Sequence, residues 1–131
     1  MIFVDTGAWY ASAVPNDVNH QAANGWLEGN VAPLVTTDYV LDETLTLLKM
    51  RGHLARALQV GEMLFAGELA EVVLVTDDDI QQAWRTFRRF QDKGWSFTDC
   101  TSLVVMDRLH IAHAFSFDRH FRQFGSVTVV P

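Results

Sequence analysis

MIFVD (residues 1–5) is a short apolar run that stops on an aspartate, and the same grammar recurs down the chain. APLVTTD (32–38), EVVLVTDDD (71–79) and AHAFSFD (112–118) each join a strand-like run to an acid. SVTVVP (126–131) reads as a closing edge strand, ended by Pro131. Between these runs, apolar residues recur at helical spacing. The clearest case is 78–93, where Ile80, Ala83, Trp84, Phe87 and Phe90 form one stripe and Gly94 stands where a C′ glycine belongs. Strands alternating with helices predict an α/β fold: one domain over residues 1–131, with a mainly parallel central sheet and helices on both faces. Ligands of such sheets bind beyond the carboxyl ends of the strands, the edge at which Asp5 and Asp118 stand.

Composition narrows the classes of function. The chain has 131 residues, 49% hydrophobic and 20% charged, which suits one domain with a real core. No apolar run approaches the roughly 20 residues that span a bilayer. MIFVD starts directly as a strand, without the basic region of a secretory leader. A single cysteine, Cys100, excludes an intramolecular disulfide, so a reducing cytoplasm is expected, with Cys100 as a small buried hydrophobe. The net charge of −6 lacks the basic footprint of a tight nucleic-acid binder. It leaves room for an enzyme that gathers carboxylates around metal ions. No G-x-G-x-x-G or P-loop pattern points to a nucleotide cofactor.

Four carboxylates stand out from the rest. On a helical wheel of TTDYVLDETLTLLKM (36–50), Asp38, Asp42, Thr46 and Lys49 share one flank. Glu43 points instead with Tyr39, Val40, Leu47 and Met50, so Asp42 is expected in solvent and Glu43 among apolar groups. In SFTDCTSLVVM (96–106), Asp99 points with Leu103, Met106 and, beyond the stretch, His110. A carboxylate held among apolar groups costs several kcal/mol unless it is protonated, paired or bound to metal. Each acid also has a local reading. Asp5 and Asp118 can cap the helices that follow them, Asp99 fits a capping box with Ser96, and Glu43 can pair with an arginine. Together, however, two acids end strands at one sheet edge and two lie early in helices that start there. The base standing directly beside one of these acids in sequence is Arg119, next to Asp118. Converging acids without cations imply a divalent ion, and all-oxygen ligation suits Mg²⁺ or Mn²⁺.

FVDTGAW (3–9), DYVLDETLTLL (38–48), SFTDCTSLVVMDRL (96–109) and AFSFDRHF (114–121) resemble, in order and spacing, the four acidic motifs of PIN-domain ribonucleases. The compact length resembles the VapC-type toxins of type II toxin–antitoxin pairs. The resemblance implies a PIN fold and Mg²⁺- or Mn²⁺-dependent endonucleolytic cleavage of RNA, with Asp5, Glu43, Asp99 and Asp118 as catalytic metal ligands. It implies that Thr6 and Thr98 lie beside them as cofactor-binding hydroxyls. It also implies a cognate antitoxin and a homodimer as partners. Gly7, where the toxins commonly carry Ser or Asn, and Ser116, often Thr, depart from the pattern.

Other signals carry less. Arg85, Arg89 and Lys93, with Arg88 on the flank, read first as a solvated helix face, although such a face can meet RNA phosphates. His110, His113 and His120 lie near Asp118, but the first ends a helix and the second falls in a strand, so a zinc cluster is not expected. Trp9, Trp26, Trp84 and Trp95 read as core or dimer interface. Asp77, Asp78 and Asp79 fall in a helix first turn, where the macrodipole favours acids. Two rivals remain. A phosphatase of the haloacid-dehalogenase type wants D-x-D after strand one, and Asp5-Thr6-Gly7 lacks the second acid. An idle PIN scaffold serving as an interaction module has no reason to keep four repelling carboxylates.

Overall fold

A computed structural model describes residues 1–131. In chain order the elements are β1 (Ile2–Val4), α1 (Thr6–Ala13), α2 (His20–Gly29), β2 (Leu34–Thr37), α3 (Asp38–Met50), α4 (Leu54–Phe65) and β3 (Glu71–Val73). They continue with α5 (Asp77–Arg89), α6 (Phe97–Arg108), β4 (His113–Phe115), α7 (Arg119–Gln123) and β5 (Thr128–Val130). Every strand pairing is parallel, and the sheet order is β3-β2-β1-β4-β5. The expected edge strand 126–131 is β5.

Neighbouring side chains on a strand point to opposite faces. Phe3 and Val4 are both fully buried, as are Val35 and Thr36, and Ala114 and Phe115. Both faces of the sheet centre are therefore covered, which is why these strands read as continuous apolar runs. Phe3 stacks on Phe121 of α7, with ring centroids 6.3 Å apart, and Trp26 of α2 lies 4.3 Å from the Phe115 ring. Each such burial contributes about 2–3 kcal/mol. Trp9 and Trp95 are buried as well, whereas Trp84 is half exposed and stacks on Phe87 at the surface. Cys100 is buried, and burial together with the Asp99 charge pushes its thiol up to about 11. It packs as a small apolar residue.

The strand order reverses direction between β1 and β4. At such a switch point the connections leave to opposite sides, and a crevice opens beyond the carboxyl ends of the two strands. Asp5 follows β1 directly and Asp118 lies three residues beyond β4, so the topology sets both at this crevice.

One boundary differs from the sequence reading. The helix expected over 78–93 ends at Arg89 with Phe90 as its cap, and residues 90–93 form a turn. Phe90 is drawn inward onto Trp95, with centroids 4.7 Å apart, and this packing overrides the helical pattern. Gly94 is therefore no C′ glycine, and the positive-φ glycines are Gly52 and Gly67.

Candidate metal centre

Each acid of the crevice is held by a local device. Asp5 is the N-cap of α1, its Oδ1 accepting from the Thr6 amide at 2.7 Å. Asp118 caps α7 in the same way, Oδ1 accepting from the His120 amide at 2.9 Å. Asp99 is the third helical residue of α6 in a complete capping box. The Ser96 hydroxyl accepts from the Asp99 amide and Asp99 Oδ2 from the Ser96 amide, both at 3.0 Å. The local readings of these three acids are thus correct, and they coexist with convergence. Asp5, Glu43, Asp99 and Asp118 line one cleft of about 300 Å³, together with Thr6, Gly7, Leu47, Gly94, Ser96 and His120.

No lysine or arginine lines this cleft. Arg119, next to Asp118 in sequence, is exposed; the base that reaches the acids is its neighbour, His120. His120 Nδ1 lies 3.0 Å from Asp99 Oδ2 and 3.3 Å from Asp118 Oδ1. The sequence pattern alone does not distinguish this residue from the other histidines. His110 and His113 are indeed exposed and line no part of the cleft, so no three-histidine cluster forms. The missed signal was spacing: two residues after a helix cap, a side chain stays beside the first turn.

Ser116 belongs to the site as well. Its hydroxyl donates to Asp5 Oδ2 and accepts from the Asp118 amide, both at 3.0 Å, and so ties the two strand-end acids together. Serine in place of threonine keeps both bonds. Gly7 lines the cleft, and a Cβ there would lie 3.9 Å from Asp5 Oδ2, so its lack of a polar side chain simply leaves that wall bare. Of the two threonines, Thr6 lines the cleft and Thr98 opens onto an adjoining depression beside Glu43 and Leu47. One residue before Asp99 on the helix, Thr98 is turned about 100° around the axis.

The wheel separates the neighbours Asp42 and Glu43 as expected: Asp42 is exposed and Glu43 half-buried in the cleft. Met50, which shares its flank, is exposed instead of apolar cover, because α3 ends there and the chain turns back at Gly52.

Burial first, and then the Asp99 charge, raise the Asp5 pKa from 3.8 to about 7, against the opposing bonds from Ser116 and Thr6. Burial and the Asp118 charge likewise raise Asp99, against its bonds from Ser96 and His120. Free acceptor capacity remains. Neither Glu43 oxygen has a protein partner, and Asp99 Oδ1 has none. The Thr6 hydroxyl, in a residue only 5% exposed, is buried without a hydrogen-bond partner. Buried acids that resist ionising, open oxygen lone pairs and an orphaned hydroxyl form a donor set that a hard divalent cation fits.

A PIN domain model matches residues 2–127, and the chain belongs to the PIN-domain family. It is similar over its whole length to the protein named 23S rRNA-specific endonuclease VapC20 of Mycobacterium tuberculosis, with 36% identity and 99% of that protein covered. A VapC ribonuclease of Archaeoglobus fulgidus is 33% identical over 90% of this chain and 77% of its own length. The crystal structure of the M. tuberculosis VapC20, described as a sarcin-ricin loop cleaving toxin, superposes over 100% of both chains, with a TM-score of 0.93 and 33% identity. FitAcB from Neisseria gonorrhoeae shares the fold with a TM-score of 0.72 at 13% identity, covering 100% of this chain and 97% of its own. Family membership removes the haloacid-dehalogenase rival.

Proposed function

We propose that this protein is a Mg²⁺- or Mn²⁺-dependent endoribonuclease, the toxin of a type II toxin–antitoxin pair, in which residues 1–131 work as one PIN domain. One observation carries the reading: four carboxylates from separate segments share a cleft at the switch point, without a lysine or arginine among them. The likeness to VapC-type ribonucleases supports it and makes ribosomal RNA the first substrate to test.

In this reading Asp5, Glu43, Asp99 and Asp118 hold the metal. The bound cation supplies charge neutralisation at the phosphodiester and acidifies water at the scissile bond. The chain supplies the rest. Ser116 and the capping bonds fix the orientation of Asp5 and Asp118. The capping box fixes Asp99 with Oδ1 left open, and Glu43 swings into the cleft from α3 without a competing partner. A carboxylate oxygen not engaged by metal is placed to take the proton of attacking water. The Thr6 hydroxyl has capacity for one further bond in the cleft.

No helix is long and apolar enough to cross a membrane. The reading includes a cytoplasmic location, where RNA is met, a homodimer, and an antitoxin that covers the cleft with a cation of its own. The idle-scaffold alternative predicts no cleavage at all. Incubation of ribosomal and total RNA with the purified protein, with Mg²⁺, with Mn²⁺ and with excess EDTA, separates the two. Metal-dependent cuts mapped at 5′ ends support the proposal. Cleavage undiminished in EDTA, or none with either metal, would overturn it.

A further inference from the structure

His120 is the one cleft residue that can supply nitrogen to a cation, and its setting is built. A Cβ at position 94 would lie 3.2 Å from His120 Nε2, tighter than most Cβ contacts, and 3.7 Å from Cε1, an ordinary contact. Glycine at 94 thus lets the imidazole edge seat against the backbone without the shift of a few tenths of an ångström that a Cβ would impose. With Nε2 turned to Gly94, Nδ1 faces the acids, 3.0 Å from Asp99 Oδ2 and 3.3 Å from Asp118 Oδ1. The ring is mostly buried, its side chain 19% exposed. One donor atom from each of Asp99, Asp118 and His120 lies within 4.8 Å of the others. A single ion can therefore touch all three after small rotations.

Resting on the metal-dependent reading above, we infer that His120 is a direct ligand through Nδ1, so that Asp99, Asp118 and His120 form a mixed nitrogen–oxygen subsite that discriminates between metals. Coordination uses the Nδ1 lone pair of the neutral ring, whose single proton then sits on Nε2. Imidazole favours first-row transition ions, whereas Mg²⁺ prefers oxygen and holds its waters. A histidine at this edge moves selectivity away from Mg²⁺ and toward Mn²⁺.

The plainer alternative is that His120 only orients the two acids as a hydrogen-bond donor. An orienting residue would shift the affinity for both metals alike and never touch the ion. A ligand shifts the Mn²⁺:Mg²⁺ ratio.

The test is Mn²⁺ electron paramagnetic resonance on the whole protein, with Mg²⁺ competition and electron spin-echo modulation, in wild type, His120→Asn and Gly94→Ala. Asparagine keeps a donor near the acids but ligates Mn²⁺ poorly. Alanine at 94 keeps the histidine and crowds its ring. Wild-type protein should show ¹⁴N modulation that changes on ¹⁵N-histidine labelling. In His120→Asn that modulation should vanish, and the Mn²⁺:Mg²⁺ affinity ratio should fall by about tenfold or more. Gly94→Ala should weaken the modulation and lower the ratio in the same direction. Binding of Mn²⁺ with no histidine modulation, or an unchanged ratio in His120→Asn, would overturn the inference while leaving the oxygen-ligated reading in place. No Mn²⁺ binding at all would overturn the inference, and would overturn the metal reading too if Mg²⁺ also supported no cleavage. Melting curves in EDTA for each variant establish that the fold is intact.

Discussion

Two helices of this protein begin with the same local motif and put it to different uses. Thr76-x-x-Asp79 opens α5 and Ser96-x-x-Asp99 opens α6, and both form complete capping boxes with bonds of 3.0–3.1 Å. Both aspartates are buried, Asp79 at 1% and Asp99 at 7% exposure. Asp79 meets the guanidinium of Arg108, whose Nε and Nη2 donate to its two oxygens at 2.9 and 2.8 Å. Despite its burial, bonds from Arg108 and Thr76 hold its pKa below the usual range. Asp99 meets Asp5, Asp118 and His120, and its pKa is raised. A cap is written in four residues, but whether its acid stabilises the fold or waits for a cation depends on what the chain brings opposite it.

The largest contrast should appear in RNA cleavage. Asp99→Asn and Glu43→Gln preserve shape but remove a cleft charge, and activity should fall by about 100-fold or more. Asp79→Asn should retain most of its cleavage at temperatures where it is folded. Comparable losses from the two capping-box substitutions, in a quantitative cleavage assay, would erase the distinction.

Stability should separate the same pair in the other direction. Asp79→Ala removes one arm of a capping box and two charge-assisted bonds, a cost of about 2 kcal/mol once solvent reaches the half-exposed Arg108. That corresponds to a fall of about 5–10 °C in Tm for a domain of this size. Calorimetry would show the fall, and a loss under 1 °C would mean that the buried ion pair contributes little.

The pH dependences should have opposite signs. Asp79, with its lowered folded pKa, contributes stability that is complete above the usual 3.8 and lost as pH falls through the folded value. Asp5, raised to about 7, binds a proton more tightly in the folded state, so metal-free stability from this group declines as pH climbs from about 4 to about 7. Asp5→Asn should accordingly match wild type near pH 4 and melt higher above pH 7 in EDTA. A lower Tm for Asp5→Asn across that whole range would place the repulsion elsewhere.

The smallest effect is expected one residue from a large one. Asp42 is exposed beside Glu43, and Asp42→Asn should move stability by no more than about 0.5 kcal/mol and leave cleavage nearly intact. A loss comparable with that of Glu43→Gln would show that this flank of α3 meets the substrate.

What the sequence revealed follows the range of each interaction. Strand ends, caps and the wheel separation of Asp42 from Glu43 are local, and MIFVD, SFTDC and DYVLDETLTLL carry them openly. The tertiary partners are not local. Asp79 read as a first-turn acid because Arg108, its partner, stands 29 residues on. His120 looks like His110 and His113 in sequence because no pattern within α7 shows that Gly94 leaves room for its ring. Ser116 reaches Asp5 across 111 residues of chain, a contact that only the β1–β4 pairing creates.

The central claim is that Asp99 is kept for a cation and Asp79 for Arg108. Its most direct test is the Tm increment on adding Mn²⁺ to wild type, Asp99→Asn and Asp79→Asn, each first stripped of metal. By linkage, an ion that binds only the folded cleft raises Tm. The account predicts the wild-type increment in Asp79→Asn, from a lower starting point, and little or none in Asp99→Asn. A full increment in Asp99→Asn, or its disappearance in Asp79→Asn, would contradict the account.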